Sequence, residues 1–488
     1  MPLSTARAVA VWIAMAMFLV SQDLSGTAPA RADGLDLAVV LEVPLGQGVQ
    51  QLRAVPVRLG KGAPRAILAV FCQDAEVDPY VEMFFFPKDT LKLVLFSQRG
   101  KVLWRRDLGP GVVPGIWFCP VLPFDLDGDG AEEIWFVNNI DADHPLSLRG
   151  RRLERIDAAT GKTTGRWPWP RGEADQSPSH LFRNFLLGGH AKGRPVLVTA
   201  QGTYGPMRLQ GWNADLSRRW EHKIARRTPG ARGSHMCPVV DVNGDGVDEV
   251  FWGERCIELD TGKELFCGDR ATYRGHSDVV QPVLDRRTKR WVLYTCRESA
   301  QTVSPRVALF DDTGRRVWGD LDRGHMDMGW VARLGPEGEP VALAIRIDGK
   351  SAGPDGFART GVEEFTYDAL TGRKHPTAGR LFATMPVDLN GDGIHELVRA
   401  LTGGDGKVLD RTGQVVGQIR GTAAMGSKFL DRPGEQVLTY DADGVVRVWA
   451  DRNAADSPAA GRRYRHPFYQ ANQRLTACGY NLVNLGGL

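Results

Sequence analysis

One short phrase recurs along this sequence: a β-strand, a polar turn that contains glycine, and a second β-strand. Apolar and polar residues alternate on both arms, as strands with one buried face require. The hairpins are spaced by roughly 30 to 60 residues, which is typical of the blades of a β-propeller. About eight copies are present, beginning at Val94, Ile156, Trp212, Ile257, Leu309, Tyr367, Val408 and Tyr440.

A single propeller explains the length of the chain better than several domains do. At 488 residues, ordinary domain size would predict about three units. A blade cannot bury its two faces alone, whereas blades arranged around an axis bury both, and ring closure protects the edge strands. The 57 glycines fit a body with many tight turns. We therefore predict an all-β fold with one propeller over residues 33–488, eight blades being favoured and seven the alternative.

The first 32 residues predict a secretory signal peptide and not part of the fold. Arg7 precedes an apolar run over 8–20, and Ala30-Arg31-Ala32 is typical of a cleavage site. The run is short for a membrane span, so an uncleaved anchor is the alternative. We expect an exported protein, secreted or periplasmic, without membrane insertion after cleavage. The formal net charge of +3 gives no indication of a nucleic-acid partner.

Export permits disulfide bonds, and all seven cysteines follow the predicted cleavage site. Cys256 and Cys267 flank the turn 260–263 symmetrically, which places them opposite each other in a regular hairpin. A bridge is feasible at that separation, and two buried thiols are the alternative. An odd count leaves at least one cysteine unpaired or bridging to another chain. Because no C-x-x-C pair is present, zinc or thioredoxin-like chemistry has no support.

A second recurring phrase carries oxygen side chains at metal-binding spacing. Three loops have Asp, Asn or Glu at positions 1, 3, 5 and 9, with glycine at positions 4 and 6. Such side chains can converge on Ca²⁺, which takes six to eight oxygen ligands. The predicted Ca²⁺ ligands are Asp125, Asp127, Asp129, Glu133, Asp241, Asn243, Asp245, Glu249, Asp388, Asn390, Asp392 and Glu396.

These loops differ from EF-hands, whose position 12 is a bidentate Glu. Here position 12 is Phe136, Trp252 or Arg399, and each loop is followed by a strand-like segment. The loops resemble the calcium loops of integrin-type FG-GAP propeller blades, which lie between two strands. Metal-free tight turns of Asp, Asn and Gly are the alternative.

Three histidines lie in glycine-flanked segments about one blade apart. His235 follows Gly-Ser, His276 begins a His-Ser-Asp segment, and His325 begins a His-Met-Asp segment. This spacing predicts that they face the same end of the propeller axis. For each of them, a hydrogen-bonded turn histidine is the alternative.

The segment 233–246, followed by the block 275–278, resembles the rhamnogalacturonan lyases of polysaccharide lyase family eleven. The C-terminal part is similar as well, over 421–437 and in the ending from Tyr464 to Asn481. The resemblance covers roughly residues 200–300 and 385–488 together with the first calcium-type loop, whereas most of 33–120 does not fit it.

That resemblance implies an eight-bladed calcium propeller that cleaves rhamnogalacturonan, an acidic polysaccharide, by β-elimination. It implies that His235 and His276 act as base or orient the substrate, and that Tyr480 serves as an acid or base. A cation beside the uronate carboxylate eases removal of the neighbouring C5 proton. The candidates for substrate binding are Arg232, Arg274 and His325.

Two departures from the family pattern concern basic residues. The family has a basic residue after its C-terminal G-T block, where this chain has Ala423 and Ala424, and an Arg where this chain has Trp330. A non-catalytic FG-GAP calcium propeller that binds glycan or protein is therefore the main alternative. A quinoprotein-like propeller, suggested by the phrase 156–167, ranks last because that phrase recurs only in fragments.

Overall fold

The computed structural model describes residues 34–170, 177–299, 305–376 and 379–488. The predicted signal peptide lies outside these residues. Among the described residues, no helix combines the length and the apolarity needed to cross a membrane. Short antiparallel sheets dominate the described part of the chain, and eight of them form the blades of a propeller.

The strand β1 (Leu37–Pro44) precedes the first complete blade. Blades 1 to 4 then follow in chain order with four strands each. Their strands are β2 (Gln51–Val57), β3 (Ala66–Cys72), β4 (Lys92–Phe96), β5 (Val102–Asp107), β6 (Val121–Phe124), β7 (Glu133–Asn139), β8 (Arg151–Ile156), β9 (Thr163–Pro168), β10 (Asn184–Ala191), β11 (Arg194–Gln201), β12 (Met207–Trp212), β13 (Arg218–Ile224), β14 (Val239–Val240), β15 (Glu249–Trp252), β16 (Arg255–Glu258) and β17 (Glu264–Cys267).

Blade 6 has three strands, with a separate two-stranded hairpin inserted between the second and the third, and blade 8 is completed by β1. Blades 5 to 8 and the inserted hairpin comprise β18 (His276–Asp285), β19 (Arg290–Ser299), β20 (Val307–Asp311), β21 (Arg316–Asp320), β22 (His325–Arg333), β23 (Pro340–Ile347), β24 (Gly349–Gly353), β25 (Gly356–Thr360), β26 (Glu363–Asp368), β27 (Met385–Val387), β28 (Glu396–Val398), β29 (Lys407–Leu409), β30 (Val415–Gln418), β31 (Thr422–Ser427), β32 (Gln436–Tyr440) and β33 (Val445–Asp451).

The first strand of each blade lies next to the axis. These strands are largely buried, whereas last strands such as β5 and β9 alternate between half-buried and exposed residues. First strands of most successive blades contact one another, and β31 of blade 8 contacts β2 of blade 1. The ring is held closed by β1, which pairs antiparallel with β33, with Val43 opposite Val446. The predicted all-β propeller with eight blades is therefore confirmed.

The C-terminal segment fills the axis of the ring. It contains the helices α2 (Pro458–Arg465) and α3 (Pro467–Gln473) and the 3₁₀-helices Arg474–Ala477 and Asn481–Gly487. The last of these contacts the first strands of blades 5 to 8. A further helix, α1 (Pro178–Phe182), precedes blade 3. The C-terminal segment thereby brings Tyr480 to the centre of the propeller.

The hairpin that contains Cys256 and Cys267 differs from the predicted geometry. A register shift between Cys256 and Ile257 pairs Cys256 with Phe266 and Cys267 with Arg255. Successive side chains on a strand point to opposite faces, so this shift sends the two sulfurs to opposite faces of the blade. All seven cysteines are buried free thiols.

Candidate functional site at the mouth of the axis

The first strands of the blades begin at one end of the axis, which we call the mouth. His276 is the first residue of β18, His325 is the first residue of β22, and His235 lies four residues before β14. A parallel bridge between Ser234 and Ser277 links two of these segments. The three histidines therefore lie at the same end of the axis, as their spacing predicts.

Two histidines and two carboxylates converge at the mouth. We call His235, His276, Asp278 and Glu298 the mouth cluster, because one nitrogen or oxygen of each lies within 4.8 Å of the others. His235 Nδ1 is 2.9 Å from Asp278 Oδ1, and His276 Nε2 is 3.6 Å from the same oxygen. His276 Nε2 also contacts Glu298 Oε2.

Local backbone irregularity directs these side chains inward. The register of β18 against β19 shifts on both sides of Ser277, and bulges of this kind re-aim side chains. The end of β19 pairs with the start of β18, with His276 opposite Ser299. Glu298, on β19, is thus carried to the same point as His276.

The mouth cluster contains more hydrogen-bond acceptors than donors. Within the described residues, no hydrogen bond of good geometry reaches either oxygen of Asp278, Glu298 Oε2 or His235 Nδ1, although these atoms lie close to one another. Unpaired buried acceptors are costly. Two imidazoles and two carboxylates that converge on one point form a ligand set that divalent metal ions bind, so these residues fit a metal ion.

Burial sets the protonation of the histidines in the mouth cluster. It lowers the pKa of His235 to about 3, helped by the Arg183 guanidinium, and lowers the pKa of His276 to about 4. Against the opposing effect of burial, His276 and His325 lower the pKa of Glu298. Neutral imidazoles and an ionised carboxylate are the forms that bind metal ions.

A second charged group adjoins the mouth cluster. His325 Nε2 is 2.9 Å from Glu298 Oε1 and 3.7 Å from Asp327 Oδ1. Although burial opposes it, hydrogen bonds with Asp327 and Glu298 raise the pKa of His325 to about 10. Asp327 also pairs with Lys350 and Arg359 of the inserted hairpin. His325 is therefore a cation at neutral pH.

Aromatic rings and a buried ion pair form the other wall. The Tyr480 ring centroid lies 5.1 Å from that of His235 and 5.0 Å from that of Trp117. Arg183 donates to Asp78 at 2.9 Å and contacts His235 Nε2 at 3.3 Å. Burial raises the pKa of Tyr480, so its phenol keeps its proton at neutral pH.

A cavity of about 240 Å³ lies beside the mouth cluster. Asp278, Asp327, Arg359 and Tyr480 line it. The cavity also reaches apolar residues of blades 6 to 8, including Trp330. It therefore joins the charged groups of the mouth to a surface on which a sugar ring can pack.

The two arginines predicted to bind substrate contact loops between blades. Arg232 contacts the backbone oxygens of Gly205 and Ala225, and Arg274 is exposed and contacts the backbone oxygen of Arg227. These contacts hold loops between blades and leave the cavity wall to other residues. The residues that were not predicted are Asp278, Glu298, Asp327, Lys350, Arg359, Arg183 and Asp78.

The repeated Gly-His-x-Asp segment contains the signal for two of these residues. It places an Asp two positions after His276 and again after His325, at equivalent points of blades 5 and 6. By contrast, Glu298 and the inserted hairpin are placed by tertiary structure alone.

The three calcium-type loops lie at the end of the axis opposite the mouth. They connect the first and second strands of blades 2, 4 and 7, as predicted for loops between two strands. In the first loop, Gly128 and Gly130 donate to Asp125, and oxygens of Asp125, Asp127 and Asp129 lie within 4.8 Å of one another. The loops are therefore remote from the mouth cluster.

The other two loops repeat this hydrogen bonding. Gly244 and Gly246 donate to Asp241, and Gly393 donates to Asp388. The Glu at position 9 of each loop accepts from the backbone at position 2. In the third loop, Arg463 of α2 also donates to Asp388, at 2.8 Å.

A family model described as "Rhamnogalacturonan lyase family 11, C-terminal domain" matches residues 186–341. The rhamnogalacturonan exolyase YesX of Bacillus subtilis (strain 168) is 28% identical over 276 residues, which is 48% of this chain and 44% of the relative. The endolyase YesW of the same strain is 29% identical over 213 residues, 37% of this chain and 33% of the relative. The chain thus matches less than half the length of these relatives.

Solved structures share the fold over most of the chain. The exotype rhamnogalacturonan lyase YesX superposes with a TM-score of 0.72 at 20% identity, covering 92% of this chain and 80% of that structure. A rhamnogalacturonan lyase from Bacillus licheniformis gives 0.70 at 18% identity, covering 90% and 80%.

The fold and the site define an eight-bladed β-propeller with a buried cluster of histidines and carboxylates at one end of its axis. Within that class, the chain is similar to the rhamnogalacturonan lyases of family 11, which confirms the resemblance seen in the sequence.

Proposed function

We propose that this protein is an exported polysaccharide lyase that cleaves rhamnogalacturonan by β-elimination at the mouth. The observation that carries the proposal is the mouth cluster, which lies in the region matched by the family model and borders a cavity. A propeller that only binds a glycan has no need for buried acceptors that converge without hydrogen bonds. The cluster therefore favours the lyase over the non-catalytic alternative.

A divalent cation held by His235, His276, Asp278 and Glu298 is part of this proposal. The unpaired oxygens of Asp278 and the neutral imidazoles support it. Bound there, the cation would neutralise negative charge that develops beside the uronate carboxylate. This assignment gives His235 and His276 the role of ligands and leaves proton transfer to other groups.

β-Elimination breaks two bonds and forms one double bond. A base takes the C5 proton, the electron pair forms the C4=C5 bond, and the C4–O bond breaks as the leaving oxygen gains a proton. Tyr480 lines the cavity and keeps its phenolic proton, so it is in place to donate to the leaving oxygen. Trp117 and His235 pack against the Tyr480 ring and fix its position.

Cleavage leaves an unsaturated uronate at the new chain end. Incubation of the protein with rhamnogalacturonan I and Ca²⁺ is expected to generate ultraviolet absorbance from that conjugated double bond. Polygalacturonan and a neutral galactan serve as comparison substrates. Absence of the chromophore with every uronate polymer, at high enzyme concentration and with Ca²⁺, Mn²⁺ or Zn²⁺ supplied, would refute the proposed reaction.

We further propose that the three loops opposite the mouth bind Ca²⁺ and stabilise the fold. Burial, with help from Asp241, raises the pKa of Glu249 to about 8, and burial, with help from Asp127, raises that of Glu133 to about 7. Since an unfolded Glu titrates near pH ~4.3, the metal-free native state binds more protons than the unfolded state above that pH. Its stability therefore falls as pH rises toward 8.

Calcium is expected to remove this pH dependence, because it favours the ionised carboxylates and binds only the native loops. Melting temperatures measured in EDTA should decline between pH 5 and pH 8, and those measured in Ca²⁺ should be higher and decline less. Identical melting curves with and without Ca²⁺ across this range would contradict calcium binding by the loops.

A further inference from the structure

The inserted hairpin crosses the mouth. It begins after β23, whose last residue Ile347 pairs with His325 at the mouth. Its strand β24 contacts the 3₁₀-turn Val81–Met83, which belongs to the loop between β3 and β4 of blade 1. Blades 7 and 8 lie between blades 6 and 1 in the ring, so the hairpin spans the opening and does not follow its rim.

Two positively charged side chains are cross-strand neighbours on this hairpin. Lys350 on β24 is directly opposite Arg359 on β25. Like charges in directly opposed positions destabilise a strand pair unless an anion compensates. Only 10% of the Lys350 side chain and 15% of the Arg359 side chain are exposed, so solvent provides little of that compensation.

A single carboxylate faces both cations. Asp327 Oδ1 is 2.8 Å from Lys350 Nζ, and the guanidinium of Arg359 donates to Asp327 Oδ2. The nearby Arg183 is already paired with Asp78, and Asp278 and Glu298 belong to the mouth cluster. The hairpin therefore places two positive charges beside one negative charge. One of the positive charges remains uncompensated and can bind a further carboxylate.

The uncompensated positive charge of the hairpin lies beside the cavity. Arg359 lines the cavity together with Asp278 and Tyr480, and Lys350 Nζ is 5.9 Å from the centre of the Tyr480 ring. Elsewhere on the wall, Arg53 and Glu76 lie close enough to offset each other's charge, and Trp330, Ala423 and Ala424 contribute none. A uronate bound against Tyr480 would thus meet the hairpin cations at one edge.

We propose that Lys350 and Arg359 bind the uronate carboxylate of the substrate. This inference rests on the proposed function and names the residues that neutralise the carboxylate in it. The cations come from an insertion in blade 6, whereas Arg53, a cation that the propeller strands contribute to the cavity wall, interacts with Glu76. Arg359 suits the role because its planar guanidinium matches a carboxylate at two points.

Steady-state kinetics on rhamnogalacturonan I backbone oligosaccharides test the assignment. Lys350→Met and Arg359→Gln are each expected to lower kcat/KM by at least about 30-fold, a typical loss for a buried charge pair that is broken. The control is Lys374→Met in the same blade, whose side chain is 75% exposed and which should retain wild-type kinetics. Methyl-esterified rhamnogalacturonan I oligosaccharides, which lack the charge, should show a much smaller loss in both variants than the de-esterified ones do.

A companion variant separates binding from folding. Lys350→Met removes one of the positive charges that compensate the Asp327 carboxylate. Adding Asp327→Asn to the same chain removes the negative charge that would otherwise be less well compensated. If Lys350 binds substrate, the double variant stays impaired on the charged oligosaccharides. Recovery of wild-type kcat/KM by the double variant would overturn the inference, as would equal losses on charged and esterified oligosaccharides.

Calorimetric titration with an unsaturated galacturonate disaccharide covers the case of slow turnover. The wild type with Ca²⁺ should bind it, and the two hairpin variants should bind at least about 30-fold more weakly. Wild-type binding that the variants retain overturns the inference alone. A wild type that neither binds nor cleaves any uronate overturns the proposed function and this inference together.

Discussion

Replacing Glu298 by Gln is expected to lower the rate of rhamnogalacturonan cleavage by at least about a hundredfold, because it removes one anionic ligand of the mouth cluster at nearly constant volume. Asp278→Asn should have an effect of the same size, since both of its oxygens lack hydrogen-bond donors in the described structure. Initial rates of double-bond formation at saturating Ca²⁺ measure the change.

The matched control for these variants is Glu42→Gln, at an exposed position on β1 far from the mouth. It removes a carboxylate without touching the cluster and should leave the rate unchanged. Far-ultraviolet circular dichroism and melting curves check that the cluster variants remain folded. Wild-type rates in both folded cluster variants would contradict a role of the mouth cluster in cleavage.

Val43→Asp is expected to destabilise the whole propeller, because β1 closes the ring and Val43 is fully buried in it. A charge placed there without a partner costs several kcal/mol, which corresponds to a decrease in Tm on the order of 5 °C for a domain of this size. Loss of closure also exposes the edge of β33, so aggregation on heating should increase.

Val39→Asp provides a control on the same strand. Val39 is 37% exposed, and a carboxylate there can reach water. Its melting temperature should stay close to that of the wild type when both variants are compared by differential scanning calorimetry. A similar, small shift for both variants would show that β1 contributes little to the stability of the ring.

The sequence was sufficient to predict the propeller because its signals are local. Alternating strands, glycine turns and the three Asp-rich loops each lie within short segments, and their repetition implies a ring. The same repetition placed His235, His276 and His325 at one end. Only the chain order of blades is needed for that inference.

The remaining parts of the site depend on contacts between distant residues. Glu298 reaches the mouth cluster because of shifted pairing between β18 and β19, and a bulge of that kind has no reliable sequence signature. Lys350 and Arg359 belong to an insertion that departs from the blade repeat. Arg232 and Arg274 lie three and two residues before His235 and His276 in the sequence, but residues that are close along a chain need not face the same cavity.

The metal content of the purified protein tests the central claim most directly. After removal of free metal and titration with Ca²⁺, and with Mn²⁺ and Zn²⁺ in parallel, the wild type should bind one more equivalent of divalent cation than the double variant Asp278→Asn/Glu298→Gln, measured by mass spectrometry of bound metal. Cations in the loops opposite the mouth contribute equally to both proteins. Equal metal content in wild type and double variant, for all three metals, would contradict a cation at the mouth of the propeller.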